Sequence, residues 1–258
     1  MKVYKAYAKV NIFLKITGTR GVYHEIISRF MKVQDLYDEL RFVAKDSAEF
    51  EIIGDFACQT QQNTIYKAYE ALLKATSSES LKALMQKYAV EVNKSIPAFA
   101  GLGGGSSDAA TYLKMCNEVL HLGLSQNELA QIGLEVGADV PFFIYDYNSA
   151  NVSGIGEVVE EFDEELLEFE VFTPNVQIST PKVYQIYREC FFDPIDGFVV
   201  QELKSKSSLE VLQSMAADEA NDLFKPALQE YKELKEHYRH GWHFSGSGSS
   251  FFKVKESV

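Results

Sequence analysis

The sequence predicts an α+β fold in two domains, residues 1–150 and 151–258. Three observations carry this. Strand-like and helix-like patterns are mixed without the strict βαβ alternation of a doubly wound sheet. The 258 residues suffice for two modest cores. A polar, turn-like run, Asn148-Ser149-Ala150-Asn151, separates two stretches of regular pattern.

Each element has its own local signal. Val10, Ile12, Leu14 and Ile16 alternate with Asn11, Phe13 and Lys15, which predicts an early strand with one buried face. Thr17-Gly18-Thr19-Arg20-Gly21 reads as the turn after it. Residues 26–33 and 39–43 read as two further strands. Ile65, Tyr69, Leu72 and Leu73 fall at helical spacing, with Asn63 or Thr64 as cap. Leu81, Leu84, Met85 and Tyr88 repeat that pattern, and residues 88–92 read as a strand leading to Pro97. A helix is expected over 107–119, with Ser106 as its N-cap. Ser125 and Glu128 form an S-x-x-E capping box for the next helix, expected to run to about Val136 and to end at Gly137. In the second half, 168–172 and 251–254 read as strands. Residues 181–188, 209–215 and 227–237 read as helices.

Composition narrows the function. The chain is 46% hydrophobic and 24% charged, ordinary for a globular protein. Its net charge of −12 argues against a broad nucleic-acid face, which has to neutralise phosphates. The three cysteines, Cys58, Cys116 and Cys190, form no CxxC pair, so a reduced, cytoplasmic setting is expected. Cys116 sits in an apolar helical stretch and is expected in the core. The N-terminus lacks the apolar core of a signal peptide, and no run nears the roughly 18 apolar residues of a membrane span.

The chemistry concentrates at Gly101-Leu102-Gly103-Gly104-Gly105-Ser106-Ser107. Without Cβ atoms the backbone can wrap closely round a ligand. The helix that follows adds unpaired N–H groups and the positive end of its dipole. That combination lets an acidic protein hold polyphosphate. It is not a Walker A loop, because no lysine follows the glycines, and not a dinucleotide fingerprint, because Ser106 stands where glycine would be needed. The reading is a kinase that transfers phosphate from ATP to a small-molecule hydroxyl.

The run Ile96-Pro97-Ala98-Phe99-Ala100-Gly101-Leu102-Gly103-Gly104-Gly105-Ser106-Ser107-Asp108-Ala109-Ala110 resembles the phosphate loop of the GHMP kinase superfamily. Three more segments agree, in the right order. Ala8-Lys9-Val10-Asn11-Ile12-Phe13-Leu14 resembles a first-strand motif and Gly137-Ala138-Asp139-Val140-Pro141-Phe142-Phe143 a catalytic aspartate motif. Ser245-Gly246-Ser247-Gly248-Ser249 resembles the C-terminal glycine motif. The extended GLGGGSSDAA form is similar to the branch whose acceptor is a methylerythritol carrying a cytidine diphosphate group, in the non-mevalonate isoprenoid route. Two departures stand out: Phe99 and Val22 each replace a glycine usual in that branch.

The resemblance implies a two-domain GHMP kinase fold. Its first domain would be like domain 2 of ribosomal protein S5, its second ferredoxin-like. It implies Asp139 as general base and Lys9 as the cation supporting it. ATP would be held by Pro97, Ala98, Phe99, Ala100, Gly101, Leu102, Gly103, Gly104, Gly105, Ser106 and Ser107, and Mg2+ is expected with it. The metal's protein ligands are not named by any carboxylate cluster, and Ser107 is either a metal contact or a helix cap. Lys94 reads as a neighbour of the adenine or as a surface lysine. Asn63 and Ile65 line the nucleotide pocket or simply pack. For the cytidyl acceptor the resemblance points to Asn11, Tyr23, His24 and Tyr184, the last of which could equally be core. His121, His237, His240 and His243 have no functional signal. A monomer or weak homodimer is expected, with no nucleic-acid or membrane partner. The rival readings are another GHMP kinase, with mevalonate or homoserine as acceptor, and a non-catalytic sensor of ATP.

Overall fold

The structure, a computed structural model, describes residues 2–255. Two long strands open the chain, β1 (Tyr4–Arg20) and β2 (Tyr23–Ala44), followed by a short β3 (Ile52–Ile53). Helices α1 (Thr64–Thr76) and α2 (Glu79–Lys87) lead into β4 (Tyr88–Asn93). Then come α3 (Gly104–Leu120), α4 (Gln126–Leu134) and α5 (Val140–Tyr145), and strands β5 (Ser149–Gly154), β6 (Val158–Glu161) and β7 (Phe169–Phe172). α-Helices follow: α6 (Thr180–Ile186), continued by a π-helical turn (Tyr187–Phe191), then α7 (Gly197–Ser205), α8 (Ser208–Ser214), α9 (Ala217–Ala220), α10 (Phe224–Glu230) and α11 (Leu234–His237). Strands β8 (His243–Phe244) and β9 (Phe251–Val254) end the order. This is the expected α+β class.

The elements form two compact units, and no single cut of the chain separates them. The first takes the chain up to Ala8, Gln34–Ala98 and Gly103–Asp146. The second takes Lys9–Val33, Phe99–Leu102 and the chain from Tyr147 on.

In the first unit β4 pairs antiparallel with the later half of β2, from Glu39↔Asn93 to Ala44↔Tyr88, and β3 pairs parallel with β4. The helices pack α1 on α3, α3 on α5 and α4 on α5. Ile65, Ala68 and Leu72 from α1 and Ala109, Leu113 and Cys116 from α3 are buried. Asn63 caps α1, its side chain accepting from the Ile65 N–H, and Ser125 and Glu128 close the expected box at α4. Helix α4 stops at Leu134, short of the predicted Val136. Gly137 lies beyond its end and donates its N–H back to the Gly133 carbonyl.

In the second unit β5 pairs antiparallel with the early half of β2, from Ile26↔Gly154 to Met31↔Ser149, and β6 pairs with β5. A separate sheet has the order β7-β9-β8. Leu14, Ile16, Ile26, Val183, Leu223, Phe224, Phe244 and Phe251 belong to one buried cluster.

Several expectations need correction. Strand β1 is buried on both faces over Ala8–Leu14, so Asn11 and Phe13 lie inside as well. The turn falls at Gly21 and Val22, because only Gly21 takes a left-handed φ (+63°) while Thr17 to Arg20 stay in the strand. Residues 26–33 and 39–43 belong to one strand, β2. The 227–237 helix is two short helices, α10 and α11. Asn148 to Asn151 is no turn, since Ser149 opens β5. Its polar residues are buried because they have partners: the Arg29 Nε donates to Asn151 Oδ1 (2.8 Å) and the Ser149 hydroxyl to Glu164 Oε1 (2.6 Å). Arg29 itself is wholly buried. It donates to the carbonyls of Lys206 (2.9 Å) and Lys204 (2.9 Å) at the end of α7 and lies over the Phe162 ring.

Candidate active site

Within the first unit the site begins at the N-terminus of α3. The glycine Gly103 is the N-cap, with φ +73°. Ser106, the expected cap, already lies in the helix. The Ser107 N–H donates to the Gly103 carbonyl (2.8 Å) as the first rung of the helical ladder. The N–H groups of Gly104, Gly105 and Ser106 therefore stand outside that ladder, as an anion cradle requires. The glycines are needed for space too: a Cβ on Gly104 would come within 2.9 Å of Ile96 Cγ2, and one on Gly105 within 3.2 Å of Thr64 Oγ1. Thr64, at the head of α1, donates its hydroxyl to the Gly105 carbonyl (2.6 Å). This brings Asn63 and Ile65 beside the cradle. Ile65 is fully buried core and Asn63 spends its Oδ1 as a cap.

Lys94 is not a surface lysine. Its ammonium pairs with Asp38 and with Asp108 Oδ2 (2.7 Å), and its side chain is 17% exposed. Asp38 is fully buried, and its Oδ1 also accepts from the N–H groups of Ser95 (2.6 Å) and Ile96 (2.8 Å). Burial pulls the Lys94 ammonium down, but the Asp108 and Asp38 carboxylates more than offset that and leave it raised. Burial pushes the Asp108 carboxyl up to about 7, against the pull of Lys94. Asp108 Oδ1 has no hydrogen-bond partner among the described residues. Sequence reading missed this triad under the phosphate loop. Asp108 was visible within the loop motif, but nothing local ties it to Asp38.

Asp139 takes the N-cap position of α5, yet its side chain makes no capping bond.

Within the second unit Lys9 is buried, and its Nζ donates to Asn11 Oδ1 (2.6 Å) and to the Gly101 carbonyl (3.0 Å). The ammonium also lies 4.6 Å from the centre of the Phe30 ring. Asn11 is held in one orientation. Its Nδ2 donates to Ser28 Oγ (2.9 Å), and Ser28 passes its own proton to the Phe13 carbonyl. Oδ1 is thereby turned to Lys9. The Lys9 N–H donates to the Leu102 carbonyl (3.0 Å), so β1 and the first part of the glycine loop are laced together. Gly101, φ +73°, admits no side chain: a Cβ would lie 2.1 Å from the Ser245 carbonyl oxygen. The Ser245 hydroxyl donates to the Gly101 carbonyl (3.0 Å) and accepts from the Asn11 N–H (3.3 Å). Three of the four sequence motifs thus meet in this unit. Ala100 and Leu102 are buried; Phe99 is 54% exposed with φ +54°. The backbone keeps the left-handed conformation natural to glycine even though a phenylalanine occupies it.

His24 stacks on Tyr184, with ring centres 5.1 Å apart and planes inclined by 29°. Tyr187 meets its edge. Burial, helped by Arg188, lowers the His24 imidazole below its ordinary value, so it is neutral near pH 7. Its Nε2 has no hydrogen-bond partner among the described residues. Tyr23, beside it, is 61% exposed. Two polar residues of this unit escaped the sequence reading altogether, Ser28 and Asn221, since neither carries a local signal.

These features define a kinase of the GHMP class, and residues 63–147 match the family described as GHMP kinases N terminal domain. The protein is an ATP-dependent kinase. A relative from Sulfurimonas denitrificans named 4-diphosphocytidyl-2-C-methyl-D-erythritol kinase is 72% identical over 260 residues, covering 99% of this chain and 98% of its own. One of the same name from Sulfurovum sp. is 45% identical over 254 residues, covering 97% and 98%. A crystal structure of 4-(cytidine 5'-diphospho)-2C-methyl-D-erythritol kinase matches with a TM-score of 0.74 at 29% identity, covering 99% of this chain and 90% of that one. The chain belongs to the 4-diphosphocytidyl-2-C-methyl-D-erythritol kinase family.

Among the described residues no helix is long and apolar enough to cross a membrane. No group of three or more His, Cys, Asp or Glu side chains there could hold a metal ion.

Proposed function

We propose that this enzyme transfers the γ-phosphate of ATP to the 2-hydroxyl of 4-diphosphocytidyl-2-C-methyl-D-erythritol, with Asp139 as general base and Lys9 as supporting cation. The observation that carries this reading is the buried Lys9 ammonium fixed on the carbonyl of Gly101, inside the glycine loop. A cation held there offsets charge as the acceptor oxygen loses its proton. Asp139 takes that proton, a role worth about 10²–10⁴-fold. The ATP phosphates lie on the N–H groups at the head of α3. Mg2+ would accompany the nucleotide's phosphates and neutralise their charge. Only the Ser107 hydroxyl is proposed to reach it, and no step depends on that contact.

The cytosine is read by His24, Tyr184 and Tyr23. A neutral imidazole has one donor and one acceptor nitrogen, which suits a base edge, and the unpartnered Nε2 of His24 is the atom proposed for it. Asn11 acts on the acceptor through Lys9, to which its Oδ1 is already committed.

Two variants test the assignment. Asp139→Asn should lower kcat at least 100-fold while calorimetry shows ATP-analogue binding within about threefold of the parent. Lys9→Met should also lower kcat. Transfer by D139N at near-parental rate would sink the base assignment. An acceptor panel followed by ADP release tests the substrate: turnover with mevalonate or homoserine, and none with the cytidyl compound, would overturn it.

A further inference from the structure

Asn221 lies in the second unit, far in sequence from every motif of the site, and is 2% exposed. It follows α9 and forms a parallel bridge with Leu14 of β1. Its Oδ1 accepts from the Leu223 N–H (2.9 Å). Its Nδ2 donates twice, to the carbonyls of Phe244 (2.9 Å) and Gly246 (2.9 Å), one on each side of Ser245. Next to it, the Asp222 N–H donates to the Leu14 carbonyl (2.9 Å), and the Asp222 carboxylate holds the Ile16 N–H (2.7 Å) and Lys15. The Asn221-Asp222 pair therefore clips the serine–glycine turn to β1.

The turn it grips abuts two oxygens that hold Lys9. A Cβ placed on Gly246 would lie 3.2 Å from the Gly101 carbonyl oxygen and 3.3 Å from Asn11 Oδ1. Those two atoms accept from the Lys9 Nζ. Ser245, straddled by the two Asn221 bonds, bonds the same Gly101 carbonyl and the Asn11 N–H. A turn free to shift would release these acceptors together.

We propose that Asn221 is a positioning residue for phosphoryl transfer: by fixing the Ser245-Gly246 turn, it sets where the Lys9 ammonium stands. This rests on Lys9 acting as the supporting cation. Asn221 touches no substrate. Its effect falls on kcat, because a cation displaced by about 1 Å loses transition-state stabilisation, while the amide grip at α3 is untouched.

Asn221→Asp keeps the acceptor for Leu223 and replaces the double donor. It should lower kcat at least about tenfold, with KM for ATP within about twofold. Ser245→Ala cuts the next link without burying a charge and should act in the same direction, which covers the case in which N221D fails to fold. Glu164→Gln serves as the control for lost stability, lowering Tm with kcat unchanged. A cycle with Lys9→Arg, which leaves a displaced but measurable cation, reads the mechanism. The double variant N221D/K9R should fall no more than about twofold below K9R alone. Multiplied effects, or parental kcat in folded N221D and S245A, would overturn the inference. Parental kcat in K9M would instead remove the Lys9 reading beneath it.

Discussion

The buried triad of Asp38, Lys94 and Asp108 holds one more carboxylate than ammonium. Asp108→Asn removes that surplus and leaves Lys94 paired with Asp38 alone. The folded Asp108 carboxyl is raised to about 7 from an ordinary 3.8, mainly by burial. A raised value in the folded state means that the native protein binds the proton more tightly than the unfolded chain. The stability associated with that proton is complete below about pH 4 and is lost as pH rises to about 7. Some three pH units at about 1.4 kcal/mol each give roughly 4 kcal/mol in all, of which about 2 kcal/mol is lost between pH 5 and 7 and nearly 3 kcal/mol between pH 5 and 8. The asparagine variant has no such proton. Its stability relative to the parent should therefore climb by about 3 kcal/mol from pH 5 to pH 8. Urea titrations at pH 5, 6, 7 and 8, followed through the single buried tryptophan, Trp242, give the difference, since groups away from the triad titrate alike in both proteins. A difference that stays flat to within about 0.5 kcal/mol over that range would refute the reasoning.

Gly101→Ala should lower kcat about 100-fold, because the new Cβ would sit 2.1 Å from the Ser245 carbonyl oxygen and the loop must move with the carbonyl that holds Lys9; kinetics within twofold of the parent would contradict it. Arg29→Met should cost about 3 kcal/mol in chemical denaturation, since it strips a buried guanidinium from Asn151, Glu164 and the end of α7. A loss below about 1 kcal/mol would show that the clamp contributes little.

What the sequence made legible was local. The Asn63 cap, the Ser125/Glu128 box and the glycine run before α3 are written in consecutive residues, and the structure follows them. Residues whose setting depends on distant partners were misread. Lys94 reads as exposed because its partners stand 56 and 14 positions away. Ser149 and Asn151 read as a turn because burial of polar groups is affordable only with Glu164 and Arg29 in place. Strand β1 looked half-exposed because alternation cannot reveal that its polar face is covered by Ser28 and Ser245. The cap of α3 was placed at Ser106 by side-chain preference. The backbone chose Gly103, whose left-handed φ no serine would adopt cheaply.

The donors at the head of α3 are peptide groups of Gly104, Gly105 and Ser106, which carry no titratable proton. Their hold on an anion stays constant from mildly acid to mildly alkaline solution. With ATP at this proposed site, pH sensitivity in nucleotide affinity comes from the nucleotide and from titratable neighbours such as Asp108. No point substitution can delete such donors, short of proline. The cradle is lost by reshaping the main chain, which a side chain at Gly104 would force through its 2.9 Å approach to Ile96 Cγ2.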